Sequence, residues 1–283
     1  MRGRARACGA GTIINAISMG KGCAFAIDLF TEATVEIGKD LRGVGGEIEG
    51  GGDTTLIKKC VELVLNRFNC DYGAYVRTKS DIPMAKGLKS SSAASNAVVL
   101  ATLSALGEHE NLSEEDVINI GVDASIASNV TITGAYDDAS SSLLGGIILT
   151  DNYKREIIKK VELERDVLIL VPDEDSYTIK TDVRASRLVA PWVKLAYDLA
   201  LKGEFERAMT LNGFLYTSVL RFSQEPILNA LAAGAKGVTL SGTGTSYVAW
   251  VDGEDKYKLI EGWKKLGKII DTRINNEGAK IID

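Results

Sequence analysis

Residues 82–96 read Ile-Pro-Met-Ala-Lys-Gly-Leu-Lys-Ser-Ser-Ser-Ala-Ala-Ser-Asn. Pro83 and Gly87 mark a loop, Ser90, Ser91 and Ser92 follow, and Ala93 to Leu106 then carries small and apolar residues at helical spacing. A loop that feeds a helix start leaves several backbone N–H groups without a partner inside the helix. The helix dipole adds partial positive charge at the same point, and together these make a phosphate cradle. The serine hydroxyls add donors for phosphate, or an oxygen ligand for Mg²⁺. The competing reading is an ordinary turn followed by a serine-capped helix, because serine is a favoured N-cap. This stretch alone does not decide between them.

The chain has 283 residues and a net charge of −5, enough for one large domain or two of ordinary size. No basic patch with interleaved aromatics argues for nucleic acid. No apolar run is long enough to span a bilayer. Four cysteines lack metal-ligand spacing, and His109 is the single histidine, so neither a zinc site nor histidine acid–base chemistry is expected. Free thiols suit a reducing cytoplasm.

Strand patterns are expected at Thr12–Ile14, Cys23–Leu29, Thr31–Ile37 and Gly73–Lys79, with a glycine-rich loop or lid at Gly43–Gly52 between the second pair. Amphipathic helices are expected over Thr54–Asn69 and from Ser113 to about Ser128, the latter with Ser113 as N-cap. A strand is expected at Gly146–Thr150, and the polar stretch Asp151–Lys160 after it is expected to divide two lobes, 1–152 and 153–283. Beyond it come a buried strand at Asp166–Val171, helices over Asp182–Leu201, Glu204–Leu220 and Pro226–Ala233, and strands Lys236–Leu240 and Tyr247–Val251. Lys256–Leu266 reads as a helix and Lys268–Thr272 as a last strand. Strands and helices that do not alternate regularly argue for an α+β fold.

Two further segments carry candidate chemistry. Tyr136-Asp137-Asp138-Ala139 sets two carboxylates in a small, apolar context, where burial is costly unless they are paired or bound to metal. One could serve as a general base or hold Mg²⁺; the alternative is a solvent-exposed turn. Ser241-Gly-Thr-Gly-Thr-Ser246 lies between two strands, where Gly242 and Gly244 permit close backbone approach to a ligand or make a plain hairpin turn.

Taken together, Gly9–Asn15, Pro83–Ala93 and Gly237–Ser246 resemble the three motifs of the kinase superfamily of galactokinase, homoserine kinase, mevalonate kinase and phosphomevalonate kinase. The resemblance spans nearly the whole chain. It implies a two-lobed α+β fold, with an N-terminal ATP-binding lobe like ribosomal protein S5 and a ferredoxin-like C-terminal lobe. It also implies that ATP phosphates rest on Pro83, Lys86, Gly87, Leu88, Lys89, Ser90, Ser91, Ser92 and Ala93, with Mg²⁺ near Ser91. Where the pattern has glycine, this chain has Lys89, which either reaches the phosphates or lies in solvent, the latter being favoured. Members with a catalytic aspartate carry it seven residues before a Gly-Gly pair; here that position is Asp138. The lysine that supports this aspartate in mevalonate kinases matches Thr12, so a different cation is expected or none. Within the superfamily, Gly9–Ile17, Ala24–Asp28, Gly134–Asp138 and Ser241–Ser246 most resemble the archaeal type of shikimate kinase. That resemblance implies shikimate as the small-molecule partner. Asn15, Asp137, Gly242, Thr243, Gly244 and Thr245 become candidates on the substrate and phosphate side, and Arg184 and Arg187 candidates for its carboxylate. Another small-molecule kinase of the superfamily, or a ligand sensor that has lost catalysis, remains an alternative.

Overall fold

The computed structural model describes residues 1–131, 134–172 and 183–282. The chain opens with two long antiparallel strands, β1 (Arg2–Ile14) and β2 (Lys21–Gly38), joined through a 3-10 turn at Ala16–Ser18. Strand β1 begins ten residues before the β-branched run that marked it in the sequence. On its inward face the early residues are small, between Arg2, Arg4 and Arg6, because a helix lies on that face: Ala5 and Ala7 are wholly buried, and any side chain at Gly3 would strike the backbone of Ala101 and Ala105. The two strands expected at 23–29 and 31–37 are one. β2 shifts register against β1 between Cys8 and Gly9, a local irregularity of the ladder.

Next come β3 (Val44–Ile48), α1 (Thr55–Arg67) and β4 (Gly73–Ser80). Strand β3 corrects the expected loop at 43–52. Val44–Ile48 runs parallel to β4, in register from Val44↔Ala74 to Ile48↔Thr78. Gly45 and Gly46 leave room there for the Tyr75 and Val76 side chains. Helices α2 (Ser90–Leu106), α3 (Glu114–Ala127) and α4 (Tyr136–Leu144) follow, then β5 (Ile147–Asp151) and β6 (Glu156–Val161). The polar stretch 151–160 therefore holds most of a strand, whose residues alternate between exposed and half-buried, and the β5–β6 hairpin spans the expected division at 152/153. β5 pairs with the start of β2, and β4 with its end. Helix α2 packs along β1 and β2, with α1 and α3 beside it.

The rest of the chain forms β7 (Asp166–Pro172), α5 (Val183–Leu188), α6 (Ala190–Leu201), α7 (Phe205–Leu220), α8 (Glu225–Ala232), β8 (Gly237–Leu240), β9 (Tyr247–Val251), α9 (Gly253–Trp263), β10 (Gly267–Arg273) and β11 (Lys280–Ile281). The expected helix 182–201 is two helices, broken at Val189 ahead of Pro191, and Asp182 lies outside the described residues. Strands β7 to β10 make a second, wholly antiparallel sheet in the order β10-β7-β9-β8, the split β-α-β-β-α-β arrangement of a ferredoxin-like lobe. β11 returns to pair with β1 in the first sheet. The fold is α+β.

One hydrophobic core joins the two sheets. It runs from Ile13, Phe25 and Ile27 to Val167–Val251, and Phe25 meets Trp250 edge-on at 5.2 Å. A second core lies under α1, α2 and α3. Among the described residues no helix is long and apolar enough to cross a membrane. The four thiols are unpaired, and burial pushes those of Cys8 and Cys60 up to about 12.

Candidate active site

Serine does not cap α2. The N-cap position is Lys89, in the left-handed region at φ 63 and ψ 32, and no side chain closes the helix end. Ser90, Ser91 and Ser92 form the first turn and are half-buried. The competing reading of a serine-capped helix is thus set aside. The terminus has no side-chain cap on its donors and carries three half-buried serines in its first turn, which fits a polyanion.

The loop before it is fixed from two directions. Leu88 is buried, and its carbonyl accepts from Ala10 N at 3.1 Å in β1. On the other side Ser241 Oγ donates to Gly87 O at 2.8 Å, and Ser246 N donates to Lys86 O at 3.2 Å. Gly87 has φ +84, and a side chain on it would overlap the Ser241 carbonyl oxygen. Glycine is required there for both conformation and space. Pro83 is half-buried at the entry to this loop and Ala93 is buried one turn into α2.

The first motif clamps the third. Gly242 N donates to Thr12 Oγ1 at 2.9 Å, and Asn15 Nδ2 donates to Gly242 O at 2.9 Å. The Asn15 amide oxygen accepts from Ile17 N at 3.1 Å, so this side chain is spent on shaping the backbone. Thr243 is exposed on the loop, Gly244 faces Gly87, and Thr245 Oγ1 is enclosed with no hydrogen-bond partner.

The two carboxylates stand in the first turn of α4, which the chain enters through left-handed Ala135. They form part of a helix rather than the exposed turn held open as an alternative. Asp138 Oδ1 lies 3.1 Å from Lys89 Nζ, and the two side chains are only 15% and 11% exposed. This corrects the favoured reading of Lys89 as a solvent residue: an ammonium beside a nearly enclosed carboxylate gains more from pairing than from hydration. Asp137 turns the other way. It is buried, accepts from Asn152 Nδ2 at 2.7 Å, and lies so close to β2 that any side chain at Gly22 would collide with it. Burial, with the charge of Asp138 adding to it, pushes its carboxyl up to about 7, against the pull of Lys89 and Asn152.

Several positioning residues escaped the sequence reading. Asn96, buried in α2, donates to Ala139 O at 2.9 Å and ties α4 to the phosphate-loop helix. Asn152 takes Thr150 Oγ1 as its own donor at 2.6 Å. Asn212 accepts from Asn15 N, and Tyr216 OH donates toward Asn15 O and Ser18 Oγ at 3.2 and 3.0 Å. A lone amide inside an apolar helix pattern, as at Asn96, is the one signal that could have found any of them. Arg184 and Arg187 are exposed on α5, which packs against the 16–18 turn. Ile132 and Thr133, which precede Gly134 in the motif, lie outside the described residues.

Residues 55–146 match the model of the GHMP kinases N-terminal domain, and residues 197–269 that of the GHMP kinases C-terminal domain. A shikimate kinase of Methanocella arvoryzae is 49% identical over all of this chain and 97% of its own length. One of Methanococcoides burtonii is 52% identical, covering 98% and 97%. Among solved structures, the mevalonate kinase of Methanococcus jannaschii superposes with a TM-score of 0.78 over 97% of this chain and 98% of its own, at 15% identity, a likeness of fold.

Proposed function

Since the chain belongs to the GHMP kinase family, we propose that it is a shikimate kinase, transferring the γ-phosphoryl group of ATP to the 3-hydroxyl of shikimate. Two supports converge. Relatives named for that activity match it from end to end at about half identity. The observation that carries the chemistry is the meeting of the open N-terminus of α2 with Asp138, bridged by Lys89 at 3.1 Å.

The serine loop suits a magnesium–nucleotide complex. Ser90, Ser91 and Ser92 offer hydroxyls and N–H groups at an uncapped helix end, and Gly87 keeps the loop backbone free of a side chain. Ser91 would hold Mg²⁺, the kind of single protein ligand that this ion takes when phosphates supply the others. When bound, the metal supplies charge neutralisation for the phosphates. Asp138 orients the acceptor hydroxyl and takes its proton as the new oxygen–phosphorus bond forms and the bond to the departing diphosphate breaks. Asn15 and Thr12 hold the Gly242–Thr245 loop against this point, and Asp137 anchors α4 to the sheet. Arg184 and Arg187, beside the 16–18 turn, are proposed to meet the shikimate carboxylate. The substrate is a small molecule, with no nucleic acid or membrane partner. A cytoplasmic location is proposed from the unpaired thiols.

The test is a coupled assay of ADP release with shikimate, homoserine and mevalonate in parallel. Turnover of shikimate well above the other two is expected. Turnover of homoserine or mevalonate with none of shikimate would overturn the substrate, and ATP hydrolysis with no acceptor dependence would overturn the transfer reaction.

A further inference from the structure

Lys89 occupies an expensive position. It adopts left-handed backbone geometry that β-carbon residues rarely take, and it puts a cation at a helix N-terminus, where the dipole disfavours one. Its side chain is nearly enclosed, and its ammonium is directed to Asp138, 3.1 Å away on another helix. The space it uses is provided by a third segment: a side chain at Gly242 would bring its first carbon to 2.8 Å from Lys89 Nζ. The two other side chains that reach Gly242 are buried and already committed, Thr12 to its N–H group and Asn15 to its carbonyl oxygen. The ammonium also offsets the repulsion between Asp138 and the neighbouring Asp137.

We infer that Lys89 is a positioning residue for Asp138 rather than a ligand of the nucleotide phosphates, and that Gly242 is glycine in part to admit its ammonium. The inference rests on the phosphotransfer reading above. Lys89 fixes Asp138 over the open end of α2, on the side of α4 away from Asp137, which faces the sheet. The helix that binds phosphate and the helix that carries the base are thereby locked to each other by one charge pair, with the Asn96–Ala139 bond as a second tie behind it.

The test is a double-variant cycle of Lys89→Met and Asp138→Asn. Each protein is read by coupled ADP release with shikimate and Mg-ATP, and by calorimetric binding of a non-hydrolysable ATP analogue. Lys89→Met is expected to lower kcat by about 10²-fold while the nucleotide Kd stays within about threefold, and to cost less than about threefold more in the Asp138→Asn background, because groups acting as a unit are not additive. Losses that multiply would overturn the inference. So would a Kd raised by about tenfold or more with kcat kept, the signature of a phosphate ligand. Lys89→Gln, which keeps a donor for Asp138 without the charge, is read in the same way should Lys89→Met fail to fold. A wild type inert toward every acceptor would overturn the proposed reaction and this inference with it. An active wild type with an indifferent Lys89→Met overturns this inference alone.

Discussion

Asp137 and Asp138 are consecutive in the first turn of α4 and live in opposite surroundings: Asp138 pairs with Lys89 at 3.1 Å, and Asp137 is buried against β2 and held by Asn152 at 2.7 Å. Successive helical residues are separated by about 100° around the axis, so two adjacent side chains cannot share one environment. The helix itself therefore sorts a base from an anchor.

The anchor has a pH signature. Burial raises the Asp137 carboxyl to about 7 in the folded protein, against about 3.9 in an unfolded chain. Between those values the folded state holds more protons than the unfolded one, so stability falls as pH rises. The contribution is complete below the unfolded value and is lost as pH climbs through about 7. Asp137→Asn keeps the acceptor for Asn152 and removes the titration. Its melting temperature is expected to exceed that of the wild type at pH 8 by more than at pH 5, as scanning calorimetry at the two values would measure. An equal difference at both would contradict the assignment.

Ser91→Ala removes one hydroxyl from the open turn of α2. A hydrogen bond to a charged group contributes roughly 1.5–3 kcal/mol, so kcat/KM should fall about tenfold to a hundredfold. Parallel kinetics of Ser90→Ala and Ser91→Ala check this; full activity in Ser91→Ala beside a loss in Ser90→Ala would move the role to the neighbouring serine.

Gly87→Ala should be costly for steric reasons. At φ +84 an added methyl overlaps the Ser241 carbonyl oxygen, with backbone on both sides of the clash. Strain and displacement together place it among substitutions costing more than about 2 kcal/mol, with loss of nucleotide affinity as the loop separates from residues 241–246. Urea unfolding and nucleotide titration measure the two effects, and a fully stable Gly87→Ala with wild-type affinity would show that the loop is not held as described.

Much of this was legible in the chain. The periodic helices, above all Glu204–Leu220 and the one that follows the serines, carry enough turns for their apolar spacing to identify them. Strand β3 was not legible, because Val44-Gly-Gly-Glu-Ile48 has too few side chains to display alternation and becomes a strand only by pairing with β4. The first strand of the 147–161 hairpin was legible at Gly146–Thr150, but the second was hidden for a related reason: β6 is half-exposed, and its charged residues read as a linker. At the site, the serine loop, Asp138 and the Gly242 loop announced themselves through local composition. Lys89 did not, since its environment is set by a carboxylate on another helix and by the space above Gly242. Asn152 and Tyr216 likewise act only through partners distant in sequence.

The central claim, that Asp138 is the base and Asp137 its anchor, is tested most directly by steady-state turnover of shikimate in Asp138→Asn and Asp137→Asn. General-base catalysis contributes about 10²–10⁴-fold, so kcat of Asp138→Asn is expected to fall by that order with nucleotide binding kept, while Asp137→Asn loses less than about tenfold. A large loss at Asp137 with little at Asp138, or near-normal turnover in both, would contradict it.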